Sequence, residues 1–375
     1  MTGYPPIVEL ADLGPLGPSI VGPNAGGESI GIQTLDDDPE MLAKLYNPRR
    51  LARPDIGALD RLVGLPEHLG ADGVRLRSTT SWPRSRIVSG GRTIGVLIPA
   101  APKAMAAEVQ SPITGKGETR LIEVDLLAKP DEYIARRGLP APGLLDRLTV
   151  CRQLAAVGAI LSGNGVVYAD WSYANTFWGP HDNTVFVIDV DSCSFGSRGH
   201  VQTVGFEDPL TPIGVRVDAA TDQYRLALLI ARCLTGMRER DEVIDELSSI
   251  DPWLHGARDV LVDILTSTDR GRRLPLRRLA DVLDQASPDR SSTVDGANVT
   301  KWRPRGGPPA QRGHVTVGSS SVQAPSAVKT NQMARTPPTQ ARRSPLTTRS
   351  WNLPNAAAWT PPKKGFWRRL LDRWN

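Results

Sequence analysis

An acid and an amide five positions apart, Asp170 and Asn175, lie in the stretch 166–178, "VVYADWSYANTFW". Strand-forming residues open and close this stretch, so both polar side chains fall in the turn between them. A second apolar run, "VFVIDVDSC", ends in Asp189 and Asp191. A carboxylate can take a proton. Carboxylate and amide oxygens are also hard donors, the kind that Mg2+ accepts alongside phosphate oxygens and water. A tight turn between short strands can aim all three groups at one spot. Phosphoryl transfer is largely positioning and charge neutralisation, and such a constellation suits it. Each piece alone also has a plainer reading: D-x-x-x-x-N is most often a turn, and "IDVDS" a strand end with an Asx turn.

The surrounding elements are legible from periodicity. "LLDRLTVCRQLAAVGAILSGNG" places Leu145, Leu148, Cys151, Leu154, Gly158 and Leu161 on one helical face, with Gly163 set to end the helix. Short strands follow at 166–168, at "TFW" and at "TVFVID", the last two joined by a "GPHDN" turn. "TDQYRLALLIARCLTG" is apolar nearly all round, which predicts a buried helix ended by Gly236. "LPLRRLADVLDQA" predicts a last helix, and residues 10–100 read as turns and strands with one helix.

Composition limits the function classes. Of 375 residues, 40% are hydrophobic and 23% charged, ordinary for a chain with a real core. Three widely spaced cysteines, Cys151, Cys193 and Cys233, argue against a disulfide framework or structural zinc, and fit a reducing cytoplasmic setting. No signal peptide and no spanning helix are expected. The net charge of +5 hides an asymmetry. Residues 301–375 carry 14 Lys and Arg and one acid, Asp372, leaving 31 basic against 39 acidic residues in the rest of the chain. From about 292 to 360 the sequence is rich in Pro, Ser and Arg without apolar periodicity, and is expected to be a disordered linker. Thr336 and Ser344, each followed by proline, are candidate phosphosites in it. Residues 361–375 include "GFWRRLLDRWN", a short basic amphipathic helix suited to a protein partner or an anionic membrane surface. Nothing in the tail reads bases, so no specific nucleic acid is expected.

The central motifs resemble those of the eukaryotic-like (Hanks-type) protein kinase superfamily, in a divergent bacterial branch. "YADWSYAN" stands where the H-R-D-x-x-x-x-N loop would be, and "IDVDS" where D-F-G would be. The resemblance implies Asp170 as catalytic base, with Asn175 beside it, and Asn175 and Asp189 as Mg2+ ligands. "MLAKLYNP" (41–48) resembles the strand whose lysine grips the ATP phosphates, which makes Lys44 the candidate. "GPNAGGESIGIQT" resembles the glycine-rich phosphate loop, with Gly26, Gly27 and Gly31. "SGGRTIGVLIPA" resembles the strand and hinge at the adenine pocket, with Val96 and Ile98 near the base. "TDQYRLALLI" resembles the helix whose aspartate, here Asp222, steadies the catalytic loop. Arg273 of "RRLPLRRLADVL" matches the structural arginine of the closing segment.

The implied fold is α+β: a two-lobed protein-kinase-like fold with a small β-rich N-lobe and a mainly helical C-lobe, followed by a disordered tail. The expected divisions are an N-lobe at 1–100, a hinge and connecting segment at 101–142, a C-lobe at 143–291, the linker at 292–360 and the helix at 361–375. The implied function is an ATP- and Mg2+-dependent Ser/Thr protein kinase acting on a protein substrate. The alternatives are a pseudokinase scaffold that recruits partners through its tail, or a small-molecule phosphotransferase sharing the D-x-x-x-x-N … D layout. This chain departs from the family pattern at several points. Tyr168 and Ala169 replace His and Arg of the loop, and Ser172 replaces a basic residue. Asp191 replaces the glycine of D-F-G, Ser29 replaces a loop glycine, and "GFEDPLTP" stands in place of A-P-E. The acid expected to pair with Lys44 stays open among Glu67, Asp60 and Asp55, with Glu67 favoured.

Overall fold

Aliphatic runs broken by acidic or glycine turns build a six-stranded sheet from the first hundred residues. In this computed structural model the strands are β1 (Ile7–Glu9), β2 (Leu16–Val21), β3 (Ser29–Leu35), β4 (Met41–Tyr46), β5 (Ser85–Ser89) and β6 (Arg92–Pro99). Their order is β1-β5-β6-β4-β3-β2. β1 runs parallel to β5 and the other pairs are antiparallel. The structure describes residues 3–21, 29–48, 55–111, 114–199, 201 and 203–288. Gly26, Gly27, the linker at 292–360 with Thr336 and Ser344, and the helix expected at 361–375 lie outside the described residues. The described residues all belong to one compact unit.

The β5–β6 hairpin turns on Gly90 and Gly91, with φ of 56° and 74°. A two-residue turn with both φ positive matches the strand twist and favours glycine at both places. Side-chain alternation along β4 divides the sheet's two faces. Met41 and Ala43 pack with Val8, Leu13, Leu35, Ile87 and Leu97 on one face. Leu42 packs with Ile20, Leu59, Val96 and Ile98 on the other.

Between β4 and β5 the chain forms two α-helices where one was expected: α1 (Ile56–Gly64) and α2 (Ala71–Thr79). The break is local. Pro66 follows α1, Gly70 takes φ 54°, and Gly73 sits so close to the Pro66 carbonyl that a Cβ there would collide with it. The stretch 101–142 also holds more than a hinge. It contains the hairpin β7 (Ala106–Gln110) and β8 (Gly117–Leu121), then the short helix α3 (Asp131–Ala135). The strands of that hairpin are five residues each and face solvent on alternate positions, too weak a pattern to stand out in the sequence.

The second part is mainly helical: α4 (Leu144–Gly163), α5 (Ala219–Thr235), α6 (Arg240–Ser248), α7 (His255–Thr266) and α8 (Leu276–Gln285). α4 and α5 are buried around most of their circumference and form the centre of the large core. Leu145, expected on the apolar face of α4, is exposed in its first turn. Four short strands frame the polar turns: β9 (Val166–Val167), β10 (Thr176–Trp178), β11 (Val185–Val187) and β12 (Ser194–Phe195). β10 pairs with β11 and β9 with β12, both antiparallel. Asp208 of "GFEDPLTP" and Arg273 form a doubly bonded ion pair at 2.6 and 2.7 Å, with both side chains fully buried. No helix among the described residues is long and apolar enough to cross a membrane.

Candidate active site

The turn 168–175 is held from below by the first turns of α5. Asp222 is buried there and accepts from the backbone N–H groups of Tyr168 (2.7 Å) and Ala169 (2.6 Å). Burial pushes its pKa up to about 7, against the opposing pull of those two N–H donors. Ala169 has φ 63°, a conformation that costs energy for an L-residue with a Cβ and persists only where neighbours enforce it. Three enforcing groups surround it. Asp222 holds its N–H, Arg225 donates to its carbonyl, and Arg198 donates to the carbonyl of Tyr168 at 2.9 Å. The Tyr168 hydroxyl donates to the Ile188 carbonyl at 2.6 Å, and its ring meets Trp171 edge-on with centroids 4.8 Å apart.

This frame presents Asp170. The Asn175 amide nitrogen donates to both the Asp170 backbone carbonyl (3.0 Å) and its Oδ2 (2.8 Å). Thr203 donates to Oδ1 at 2.9 Å while accepting from Arg225 at 3.1 Å, and Arg225 also donates to the Val201 carbonyl. Burial raises the pKa of Asp170, and the bonds from Thr203 and Asn175 oppose it. The carboxylate is therefore more basic than an exposed aspartate, which favours proton acceptance. Because the Asn175 nitrogen is committed to Asp170, its Oδ1 is the atom left to meet a cation. The Asn175 carbonyl accepts the Ile188 N–H at 3.0 Å, which fastens the turn to the end of β11.

Asp189 follows directly, with φ 60°. Lys44 reaches it from β4: Nζ donates to Asp189 Oδ1 at 3.1 Å and to Asp191 Oδ1 at 2.7 Å. Tyr46 donates to the second oxygen of Asp191 at 3.2 Å. Burial pulls the lysine pKa down, but the two carboxylates outweigh it and hold the ammonium charged. The acids considered from sequence as partners of Lys44 are engaged elsewhere. Glu67 pairs with Arg77, Asp60 with Arg86 at 2.7 Å, and Asp55 caps α1 by accepting from Ala58 N–H. The reason is geometric: the break at Pro66 and Gly70 turns Glu67 toward α2, while Asp191 lies under β4.

Val96 and Ile98 lie opposite Lys44 and Leu42 in the β4–β6 ladder, on the lysine's side of the sheet. A second apolar group, Met105, Leu121, Phe177 and Phe186 with Ala101 and Ile188, includes Phe177, two positions past Asn175, and Ile188, next to Asp189 in sequence. Gly31 sits on β3 opposite Leu45, just past an irregularity in the β3–β4 register. For Mg2+ the donor set fits: one amide oxygen from Asn175 and a carboxylate from Asp189, whose side chain is 40% exposed. Among the described residues no cluster of three His, Cys, Asp or Glu could hold a metal unaided. A cation here must share its shell with phosphate and water.

Sequence reasoning missed Thr203, Arg198 and Arg225 and gave Asp191 no task. Arg225 lies three positions after Asp222 in a helix that is apolar nearly all round, a signal that was available. Thr203 lies in an irregular stretch with no pattern to mark it.

No known protein-family profile matches the chain, and no curated protein matches it. Among solved structures, the chain is similar to the ROP18 kinase domain in complex with AMP-PNP and sucrose, with a TM-score of 0.45 and 16% identity, covering 70% of this chain and 78% of that one. The architecture is α+β. A β-rich sheet carries Lys44 on an inner strand, and a mainly helical part carries the Asp170 and Asp189 turns beneath it.

Proposed function

We propose that the protein transfers the γ-phosphate of ATP to a serine or threonine hydroxyl of a protein substrate. The observation that carries this reading is one connected network: Lys44 to Asp189, Ile188 N–H to the Asn175 carbonyl, and Asn175 to Asp170. In this reading Asp170 accepts the proton of the attacking hydroxyl as the new O–P bond forms. The bond from the γ-phosphorus to the bridging oxygen breaks and ADP leaves. Lys44 faces the phosphates, and Val96 and Ile98 line the side of the base. Asn175 and Asp189 would hold Mg2+, and such an ion would supply charge neutralisation to the phosphate oxygens. Gly31, at the register irregularity of β3, borders the phosphate chain.

A scaffold without catalysis is the second reading. The paired carboxylates on Lys44 favour it, because they satisfy the lysine without a nucleotide. Labelled ATP and Mg2+ with the full-length protein and its Asp170→Asn variant decide between the two, with labelled sites mapped. Label on the wild type and none on the variant supports transfer. Label on both overturns the role of Asp170, and label on neither favours the scaffold. Label on a metabolite but on no protein would move the reading to small-molecule phosphotransfer.

A further inference from the structure

We propose that Asp191, and no acid of the segment between β4 and β5, is the positioning residue that seats Lys44 for the phosphate chain. The consequence for nucleotide rests on the phosphotransfer reading; the pairing itself does not. The two carboxylates that meet Lys44 are unequal. Asp191 is the nearer at 2.7 Å and its side chain is 2% exposed, while Asp189 is at 3.1 Å and 40% exposed. Both oxygens of Asp191 are turned to β4, one to Lys44 and one to the Tyr46 hydroxyl. Asp189 can therefore turn to a cation while Asp191 keeps the lysine in place.

Helix α1 offers this segment the opposite charge. Its Arg61 guanidinium lies 3.5 Å from the centroid of the Phe195 ring, four residues past Asp191. The acids Asp60 and Glu67 are held by Arg86 and Arg77. The lysine's anchor thus belongs to segment 189–191, and a displacement of α1 leaves Lys44 seated.

The test uses the full-length chain as Asp191→Asn, Asp191→Glu, Glu67→Gln, Lys44→Met and the Lys44→Met/Asp191→Asn double variant. Calorimetry measures affinity for MgATP and for adenosine, and thermal melts give unfolding midpoints. Asp191→Asn is expected to weaken MgATP about tenfold, the scale of one charge-assisted hydrogen bond. Adenosine, which has no phosphates, should bind unchanged, and Asp191→Glu should recover part of the MgATP loss. Glu67→Gln should alter neither ligand. The double variant should melt no lower than the worse single variant, because the two residues act as one unit. Equal weakening of adenosine and MgATP, an equal effect of Glu67→Gln, or additive midpoint losses would each overturn the proposal. If the wild type binds neither ligand, the phosphotransfer reading fails. The midpoint cycle then still decides the pairing: coupling upholds it and additivity sinks it.

Discussion

The two halves of the candidate site are held by different means. On the acceptor side, Asp170 and Asn175 are five residues apart, and their turn is fixed through its own backbone by Asp222, Arg198 and Arg225. On the donor side, Lys44 is fixed by carboxylates 145 and 147 positions away, side chain to side chain. Backbone anchoring fixes the path of a loop whatever its side chains do. An ion pair between distant segments fixes only the distance between two side chains, and it is lost when either charge is removed. The acceptor side should therefore fail only when its chemistry is removed, and the donor side whenever a charge is.

The largest effect separates chemistry from scaffold. Asp170→Asn should lower kcat about a thousandfold, as loss of a general base does, with little change in melting point. A variant that keeps full activity would remove Asp170 from the reaction. Asp189→Asn should abolish transfer too, and excess Mg2+ should recover part of it.

Next is the buried pair Asp208 and Arg273, beside the start of α5. Asp208→Asn leaves Arg273 charged and unpaired in the core and should cost about 3–5 kcal/mol of stability, measured by chemical denaturation. Its effect should fall equally on nucleotide binding and on turnover, because it discriminates between neither side.

A pH test bears on the segment beside β10. Burial, then the neighbouring Asp125 charge, raises the pKa of Glu123 from 4.5 to about 7. A carboxylate with a raised native pKa adds stability below its unfolded value and loses it as pH rises through the native value. The melting point should therefore fall between pH 4.5 and about 7, and Glu123→Gln should flatten that slope. An unchanged slope would assign the titration to Asp222, which shares the window and is pushed up to about 7 by burial.

Smaller effects sharpen the contrast. Thr203→Val removes one hydrogen bond from Asp170, worth about 1 kcal/mol, and should lower kcat several-fold with nucleotide affinity unchanged. Arg61→Ala removes the cation–π contact on Phe195, also worth about 1 kcal/mol at most, and should leave MgATP affinity unchanged if Asp191 seats the lysine. A clear loss of affinity there would return α1 to the lysine's support.

Much of the frame was legible because it rests on local periodicity. The runs that became β10, β11, α4, α5 and α8 carried their own signals. Asp170, Asn175, Asp189, Lys44 and Asp222 were legible as types in order. The second N-terminal helix was not, because its apolar pattern is weak, with Gly73 and Leu76 its buried positions. The β7–β8 hairpin was hidden for a similar reason.

The amino-acid sequence alone determined which residue types meet in each turn, since side-chain spacing within a strand, helix or turn follows from backbone geometry over a few residues. It left open which acid holds Lys44 and which hydroxyl reaches Asp170. Those partners lie on segments brought together by packing of the sheet and helices, and no local rule distinguishes Asp191 from Glu67 or marks Thr203. Tertiary structure decided them, because a buried charge takes the partner that the fold places within reach.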